Sequence, residues 1–257
     1  RPIIHPTPAT RRRPGNMPRP MQAIVFDFDG VLFDSEPAHF AALRDVAATL
    51  GVTLDQPTYD RHLIGYDDRD AFRAIASLRR GGPPSADGVS LDPDELADLC
   101  RRKQAAFDAI VAEGIDPLPG VRELLDQVCG TLPIAIASGA TRQDIDGMLA
   151  SQGWTHRFPV IVSADEVTRS KPHPATYALA VERLAAGHGP DLAPHDCLAI
   201  EDTPAGIASA QAAGLHVLGV ATTNAAAALH RADRVVPGLA GVGLDAFWQW
   251  FGRERPR

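Results

Sequence analysis

Short apolar segments alternate with amphipathic segments along the second half of the chain. Two of the clearest, IAIAS at 134–138 and CLAIE at 197–201, are apolar on both faces until their last residue. Such strands belong to parallel sheets that helices cover on both sides. With right-handed crossovers, the alternation predicts an α/β fold with a doubly wound parallel sheet. The predicted strands are 23–28, 133–137, 159–163, 197–201 and 216–220, with a weaker one at 234–236; the predicted helices are 120–129, 142–152, 173–186, 204–213, 224–231 and 239–251.

One interval interrupts this alternation. Residues 37–115 contain no good strand, and a helical segment at this point is typical of an inserted all-helical cap domain. Its helical patterns cover 37–50, 57–79 and 93–113, and a Gly/Pro-rich link occupies 81–88. Ligands of open α/β sheets bind beyond the carboxyl ends of the strands, so the cap would lie above whatever follows the first strand. We predict a catalytic core of residues 21–36 and 116–257 and a cap of residues 37–115.

The charge distribution restricts the partners. The net charge is −7, but residues 1–20 hold five arginines and no acid, so the rest of the chain carries −12 (−7 − 5). An acidic body lacks the basic footprint of a nucleic-acid partner. No apolar run approaches the roughly 20 residues that span a bilayer. We therefore expect no nucleic acid and no membrane, and we take a monomer as the default.

The first twenty residues and the cysteines indicate the compartment. Residues 1–20 contain six prolines, no signal-peptide core and no clean amphipathic helix, so we expect a disordered tail. Cys100, Cys129 and Cys197 are an odd set without CxxC spacing. Buried free thiols in a reducing, cytoplasmic environment are the expected state.

The segment IVFDFDGVLFDSE at 24–36 carries the first chemical signal. Asp27 and Asp29 are two positions apart, so both carboxylates would share one face of a strand. Like charges held that close resist joint ionisation and attract a divalent cation. A calcium-binding loop is excluded, because positions that should provide further oxygen ligands hold Val31 and Phe33.

Polar groups also follow three later strands. Ser138 and Gly139 could bind phosphate oxygens at a helix start. Lys171, in a proline-stiffened SKPHP loop, could hold an ammonium against phosphate. Glu201 and Asp202 end a buried strand, where acids are costly unless they are paired or bind a metal. Taken singly, these groups also have ordinary interpretations as a turn, a surface lysine and a helix cap.

Together the four groups, DxDG, SG, KP and ED in chain order, resemble the four motifs of the haloacid dehalogenase-like hydrolase superfamily. The likeness is greater to the branch with a helical cap inserted after the first strand, which includes phosphoglycolate phosphatase and beta-phosphoglucomutase. The resemblance covers roughly residues 22–245. It implies a magnesium-dependent phosphatase that acts on a small-molecule phosphate ester, such as a sugar phosphate or phosphoglycolate.

The resemblance also implies roles for the catalytic residues. Asp27 would be the nucleophile that forms an aspartyl-phosphate. Asp29 would protonate the leaving oxygen and then activate water. Lys171 would hold the phosphoryl oxygens and offset the charge that otherwise repels a carboxylate nucleophile from a phosphate.

The same resemblance implies the metal and phosphate ligands. Mg²⁺ would be bound by the carboxylates of Asp27 and Asp202 and by the backbone carbonyl of Asp29. Glu201 would support the ion through water. Ser138 and Gly139 would bind the phosphate together with the lysine.

Three alternatives to a phosphatase have to be compared with these motifs. Dehalogenases of the superfamily lack the second aspartate, so Asp29 favours phosphoryl transfer. A beta-phosphoglucomutase has arginine three residues after the glycine of its phosphate-gripping segment, whereas HLIGYDDRDAF at 62–72 has Asp68 there and Arg69 one place later. An acid would repel a second phosphate, which favours a phosphatase, although His39 matches a mutase histidine. A non-catalytic binding protein is disfavoured because no motif residue is lost.

Candidate substrate contacts in the cap are His39, Arg69 and Lys103, with Arg102 as a weaker one. Together with Gly65 and Tyr66 they indicate a polar, anion-tolerant pocket. Solvated helix faces explain each of these side chains as well.

Overall fold

Six parallel strands form a single sheet in the described part of the computed structural model. The structure describes residues 21–64, 66–87, 89–189 and 191–251, so the predicted tail of residues 1–20 lies outside the described residues. The strands are β1 (Ala23–Phe26), β2 (Ile134–Ala137), β3 (Val160–Val162), β4 (Cys197–Glu201), β5 (His216–Val220) and β6 (Arg234–Val236). Their order is β3-β2-β1-β4-β5-β6, and every pairing is parallel.

Nine α-helices connect and follow these strands in the described residues. They are α1 (Glu36–Thr49), α2 (Gln56–His62), α3 (Asp68–Arg79), α4 (Pro93–Glu113), α5 (Val121–Val128), α6 (Arg142–Ser151), α7 (Ala175–His188), α8 (Pro204–Ala212) and α9 (Leu244–Phe251). Helices α5 to α9 accompany the sheet, and α1 to α4 lie between β1 and α5 in the chain.

The sheet is buried on both faces, as the apolar strands require. Ile24 and Phe26 of β1 contribute to one hydrophobic cluster, whereas Ala23 and Val25 contribute to another. All four side chains are fully buried. Alternate residues of one strand therefore pack into separate layers, which confirms the predicted doubly wound α/β core.

The inserted helices have a hydrophobic cluster of their own. It consists of residues between Leu43 and Leu99, with Phe72 and Ile75 at full burial. Helix α4 joins the two regions, because Phe107, further along it, packs into a cluster of the sheet instead. An inserted helical cap is thus present, and its limits at residues 37 and 115 stay a prediction.

Three predicted elements differ from the structure for local reasons. The predicted helix 57–79 is two helices, because Asp67 caps a new one by accepting a hydrogen bond from Asp70 N at 2.9 Å. The predicted helix 224–231 is only a 3₁₀ helix at Ala226–Leu229. The predicted helix 239–251 begins at Leu244, because Gly241 has φ of 75°, outside the helical region.

Strand β1 also ends earlier than predicted, at Phe26. Asp27 and Asp29 therefore lie in the loop that follows the strand, and the prediction that they share a strand face was wrong. The loop turns back at Phe28, whose carbonyl accepts a hydrogen bond from Leu32 N at 2.8 Å.

The three cysteines are free thiols, as predicted. Only Cys197 is buried, whereas Cys100 and Cys129 are half-buried. Among the residues that the structure describes, no helix is long and apolar enough to cross a membrane.

Candidate active site

The residues that follow β1 and β4 meet at one point of the sheet. Strand β1 lies between β2 and β4, where the strand order reverses. Open α/β sheets bind their ligands at this position. Asp27 N donates to the carbonyl of Ile200 at 2.9 Å, which places Asp27 beside the end of β4. Strand register therefore brings together carboxylates that are some 175 positions apart in the chain.

Lys171 links two of these carboxylates. Its Nζ lies 2.8 Å from Asp27 Oδ1 and 2.7 Å from Glu201 Oε1. Burial disfavours the charged lysine, but the two carboxylates outweigh burial and raise the pKa of Lys171 above its usual value. The loop lysine predicted from sequence is thus a charged group at the centre of the site.

Asp27 is nearly buried and carries a strained charge. Burial raises the pKa of Asp27 well above its usual value, and the neighbouring Glu201 and Asp202 carboxylates add to this effect. The charge of Lys171 and its hydrogen bond to Asp27 oppose this rise in pKa. Phe28 N also donates a hydrogen bond to Asp27 Oδ1 at 2.7 Å. A further cation at this point would stabilise the ionised carboxylate.

Glu201 is fully buried and held by several donors. Its Oε1 accepts from Lys171 and from the Tyr177 hydroxyl at 3.0 Å. Its Oε2 accepts from the backbone N–H groups of Asp202 and Thr203 at 3.0 and 3.1 Å, and from Thr203 Oγ1 at 3.0 Å. Burial opposes ionisation, but Lys171 and these donors outweigh it and lower the pKa of Glu201. Glu201 is therefore a fixed anion that orients the lysine.

Tyr177 was missed by the sequence reasoning. It lies on α7, fully buried, with its ring centroid 5.0 Å from Lys171 Nζ. An aromatic residue in an amphipathic helix gives no sequence signal other than packing. Tyr177 is the third residue of α7, which follows the KP motif closely in the chain.

Asp202 is buried with one oxygen unsatisfied. Among the described residues, no group donates a hydrogen bond to its Oδ1. Burial raises the pKa of Asp202 to about 7. Acceptor atoms of Asp27, Glu201 and Asp202 all lie within 4.8 Å of one another. A buried, unpaired carboxylate oxygen beside two further carboxylates suits a hard divalent cation, so the donor set fits Mg²⁺.

Gly30 makes room for Asp202. Its φ is +72°, and a Cβ at this position would lie 2.0 Å from Asp202 Oδ2. A side chain would therefore clash with the carboxylate as well as strain the backbone. The glycine of the DxDG motif is explained by this close approach.

Asp29 faces the space between the core and the cap. It lines the cavity there, and its Oδ1 accepts a hydrogen bond from Ser35 Oγ at 2.5 Å. Burial raises the pKa of Asp29 to about 6, against the opposing effect of the Ser35 hydrogen bond. Asp27 and Asp29 thus differ in environment: one is held by Lys171 and the other by a neutral hydroxyl.

The Ser138–Gly139 turn differs in detail from the prediction. Ser138 N donates to the carbonyl of Val162 at 2.9 Å, and Ala140 N donates to Ser138 Oγ at 2.9 Å. These two N–H groups are thus used within the fold, which leaves the Ser138 hydroxyl hydrogen as a donor. Gly139 lines the cavity.

A cavity of about 570 Å³ separates the cap from the core. Its core wall consists of Asp29 and residues that follow β2, and its cap wall comes from all four inserted helices and the segment before α3. The lining residues are Asp29, Glu36, His39, Leu43, Tyr59, Leu63, Tyr66, Asp67, Asp68, Arg69, Ala71, Cys100, Lys103, Gln104, Gly139, Ala140, Thr141 and Asp144. The volume is within the range of small-molecule sites.

The structure brings His39, Arg69 and Lys103 to this cavity, as the sequence suggested. Lys103 Nζ lies 2.9 Å from Asp68 Oδ1 and 2.9 Å from His39 Nδ1. Arg102 is not among the lining residues and donates to Thr49 Oγ1 at 2.5 Å.

Known proteins share these features. A family model described as haloacid dehalogenase-like hydrolase matches residues 24–220. The chain is 34% identical to Protein CbbY from Rhodobacter capsulatus, over 77% of this chain and 84% of that protein. It is 30% identical to fructose-1-phosphate phosphatase YqaB from Escherichia coli, over 77% and 95%. A solved structure of mutant CbbY from Rhodobacter sphaeroides in complex with xylulose-(1,5)bisphosphate has a TM-score of 0.69 and 26% identity, over 88% and 99%.

Fold and site thus define a hydrolase with an inserted helical cap and a doubly wound parallel sheet. Its acids and its lysine meet at the point of the sheet where the strand order reverses. The chain belongs to the haloacid dehalogenase-like hydrolase family.

Proposed function

We propose that this protein is a magnesium-dependent phosphatase that hydrolyses a small phosphorylated metabolite through an aspartyl-phosphate intermediate. The supporting observation is the contact of Lys171 with Asp27 and Glu201 beside the unsatisfied carboxylate of Asp202. In this arrangement Asp27 would act as the nucleophile, Lys171 as a fixed cation and Asp202 as a carboxylate that binds a metal ion. The cavity above it has room for the rest of a substrate.

In the first step, a carboxylate oxygen of Asp27 attacks phosphorus and the bond from phosphorus to the leaving oxygen breaks. Lys171 reduces the repulsion between the two anions and holds phosphoryl oxygens, together with the Ser138 hydroxyl. Asp29, which faces the cavity, donates its proton to the leaving oxygen. The products of this step are the free alcohol and phosphorylated Asp27.

In the second step, Asp29 accepts a proton from water while the water oxygen attacks phosphorus. The bond between phosphorus and the Asp27 oxygen breaks, which releases inorganic phosphate and restores the Asp27 carboxylate and the protonated Asp29. One side chain thus serves as acid and then as base, and the Ser35 hydroxyl orients it through both steps.

The residues that would hold Mg²⁺ are Asp27 and Asp202 through their carboxylates and Asp29 through its backbone carbonyl, with Glu201 outside them. Bound there, the ion would supply positive charge that stabilises the transferring phosphoryl group. Glu201 is not proposed as a direct ligand, because both its oxygens already accept hydrogen bonds.

A phosphomutase is the second candidate, because His39 lines the cavity where that alternative predicts it. Hydrolysis is favoured because Asp68 lines the same cavity and pairs with Lys103. A mutase must grip a second phosphate at the cap, and an acid opposes this.

The test is hydrolysis of p-nitrophenyl phosphate with and without Mg²⁺. Asp27→Asn should reduce turnover by at least about 10³-fold, as expected for loss of a covalent nucleophile. The matched control is Asp34→Asn, an exposed aspartate of the same loop, which should keep wild-type activity. A folded wild-type protein without magnesium-dependent turnover, or an Asp27→Asn variant with more than a few per cent activity, would contradict the proposal.

A further inference from the structure

The cavity between the cap and the core has more acids than cations on its walls. Among the described residues that line it, five side chains are carboxylates and two are the cations of Arg and Lys. The carboxylates are Asp29, Glu36, Asp67, Asp68 and Asp144, and the cations are Arg69 and Lys103. The phosphate of a substrate would lie at the core end, beside Lys171, so this lining faces the remainder of the molecule.

Lys103 is already neutralised. Its ammonium forms an ion pair with Asp68 and a hydrogen bond with His39, both at 2.9 Å, and lies 5.3 Å from the Phe107 ring centroid. Its side chain is only 6% exposed. Because the charge of Asp68 offsets that of the ammonium, this pair adds no net positive charge to the cap wall of the cavity.

His39 adds no positive charge. Its ring stacks on Phe107 with centroids 4.2 Å apart and an interplanar angle of 12°. Burial, together with the charge of Lys103, lowers the pKa of His39 to about 3. The ring is therefore neutral and can only exchange hydrogen bonds.

Neutral groups satisfy two further acids of the lining. Glu36 accepts a hydrogen bond from the Tyr59 hydroxyl at 2.5 Å. Asp144 is buried and accepts from Gln104 Nε2 at 2.7 Å and from Thr141 Oγ1 at 2.8 Å. These donors orient the carboxylates without cancelling their charge, so Arg69, which is exposed, is the cation left to oppose them.

We infer that the natural substrate is a phosphate monoester whose remaining part is a hydroxylated group that is neutral or cationic, and that a second phosphate or a carboxylate is rejected. Hydroxyl and ammonium groups donate hydrogen bonds to carboxylates, whereas anions are repelled by them. This inference rests on the proposed phosphatase function. It narrows the range of substrates that the resemblance implied, because it excludes phosphoglycolate and the substrates with a second phosphate.

Four substrates with the same six-carbon skeleton test the inference on the full-length protein with Mg²⁺. They are glucose 6-phosphate, glucosamine 6-phosphate, 6-phosphogluconate and glucose 1,6-bisphosphate. We expect kcat/KM for the neutral and the amino compound to exceed that for the carboxylate and the bisphosphate by at least about 10-fold. The bisphosphate gives the most stringent test of the inference, since the solved structure of the similar CbbY contains a bisphosphate.

Asp68→Asn tests the cause. It removes one acid and leaves Lys103 without its ion-pair partner. The ratio of kcat/KM for the anionic substrates to kcat/KM for the neutral substrate should therefore rise by at least about 10-fold. Asp94→Asn is the control, because Asp94 is exposed in the first turn of α4 and does not line the cavity. Asp67→Asn gives a second charge removal in case Asp68→Asn fails to fold, since asparagine preserves the cap of α3.

These assays distinguish an error in the proposed phosphatase function from an error in the inferred charge of the substrate. If p-nitrophenyl phosphate and all four sugars are inert, the proposed function itself is wrong. If p-nitrophenyl phosphate turns over but the anionic sugars react as well as the neutral ones, or Asp68→Asn and Asp67→Asn leave the ratio unchanged, only the inference on substrate charge is wrong.

Discussion

The core side and the cap side of this site differ in how their charged residues are paired. The core side, called the floor, consists of Asp27, Lys171, Glu201 and Asp202, and the cap side, called the roof, consists of the cavity-lining residues of α1 to α4. On the floor, Lys171 contacts two buried carboxylates, and Glu201 accepts hydrogen bonds with both oxygens. On the roof, Asp68 pairs with the buried Lys103, and Glu36 accepts a hydrogen bond from the Tyr59 hydroxyl. With the proposed Mg²⁺ beside Lys171, the floor would offer positive charge to an incoming phosphate, whereas the roof presents acids to the rest of the substrate.

The difference follows from how each wall is built. The floor carboxylates lie at the ends of parallel strands, and the pairing of these strands fixes where the carboxylates lie relative to one another. The hydrogen bond from Asp27 N to the carbonyl of Ile200 is an example. Roof residues project from four helices with a hydrophobic cluster of their own. A rigid floor suits chemistry common to many substrates, and a separate roof allows selectivity to change without disturbing it.

Exchanging the two buried lysines for methionine should produce the largest contrast. Lys171→Met leaves Asp27 and Glu201 as unpaired buried charges, so activity should fall by at least about 10³-fold and stability by about 3–5 kcal/mol. Lys103→Met removes a lysine whose partner Asp68 is 33% exposed, so the loss of stability should stay below about 2 kcal/mol. Turnover of p-nitrophenyl phosphate and urea denaturation measure both. Equal losses for the two variants would remove the distinction between floor and roof.

Asp202→Asn should weaken the binding of Mg²⁺ by at least about 10-fold, because the floor loses a charged oxygen ligand. Isothermal titration of Mg²⁺ into the protein without substrate measures this independently of activity. Asp144→Asn is the matched control, since Asp144 is also a buried acid at the cavity but contacts Gln104 and Thr141. Unchanged affinity in the Asp202 variant would refute its role as a ligand.

The smallest effect is expected at Tyr177. Tyr177→Phe removes one hydrogen bond to Glu201 Oε1, which still has Lys171 as a partner. Stability should fall by about 1 kcal/mol, with turnover reduced by less than about 10-fold. Thermal denaturation and steady-state kinetics check this. A loss as large as that of Lys171→Met would mean that the tyrosine itself touches the reacting groups.

The floor could be predicted from the sequence to a much greater extent than the roof. Strand ends are marked by apolar runs that stop at polar residues, and parallel topology then brings those ends together. This is why Asp27, Glu201 and Asp202 could be grouped in advance. Lys171 does not directly follow a strand, and it was grouped with them through the resemblance to the family's motifs. The early end of β1 could not be foreseen, because Phe28 continues the apolar alternation in the loop.

Roof contacts depend on how helices pack, which periodicity does not encode. The pair of Asp68 and Lys103 joins two helices whose mutual rotation sets which side chains meet. The break between α2 and α3 depends on one cap, Asp67, within a continuous helical pattern. The sequence therefore indicated that His39, Arg69 and Lys103 lie at the cavity. It did not indicate that Lys103 forms an ion pair with Asp68.

The central claim is that phosphoryl transfer proceeds through Asp27 in two displacements. The most direct measurement is the stereochemical outcome at phosphorus, with an isotopically labelled chiral phosphorothioate ester hydrolysed in labelled water. Each in-line displacement inverts the configuration, so two displacements predict net retention, with no turnover in Asp27→Asn. Net inversion would show that water attacks the substrate directly, and the account would be contradicted.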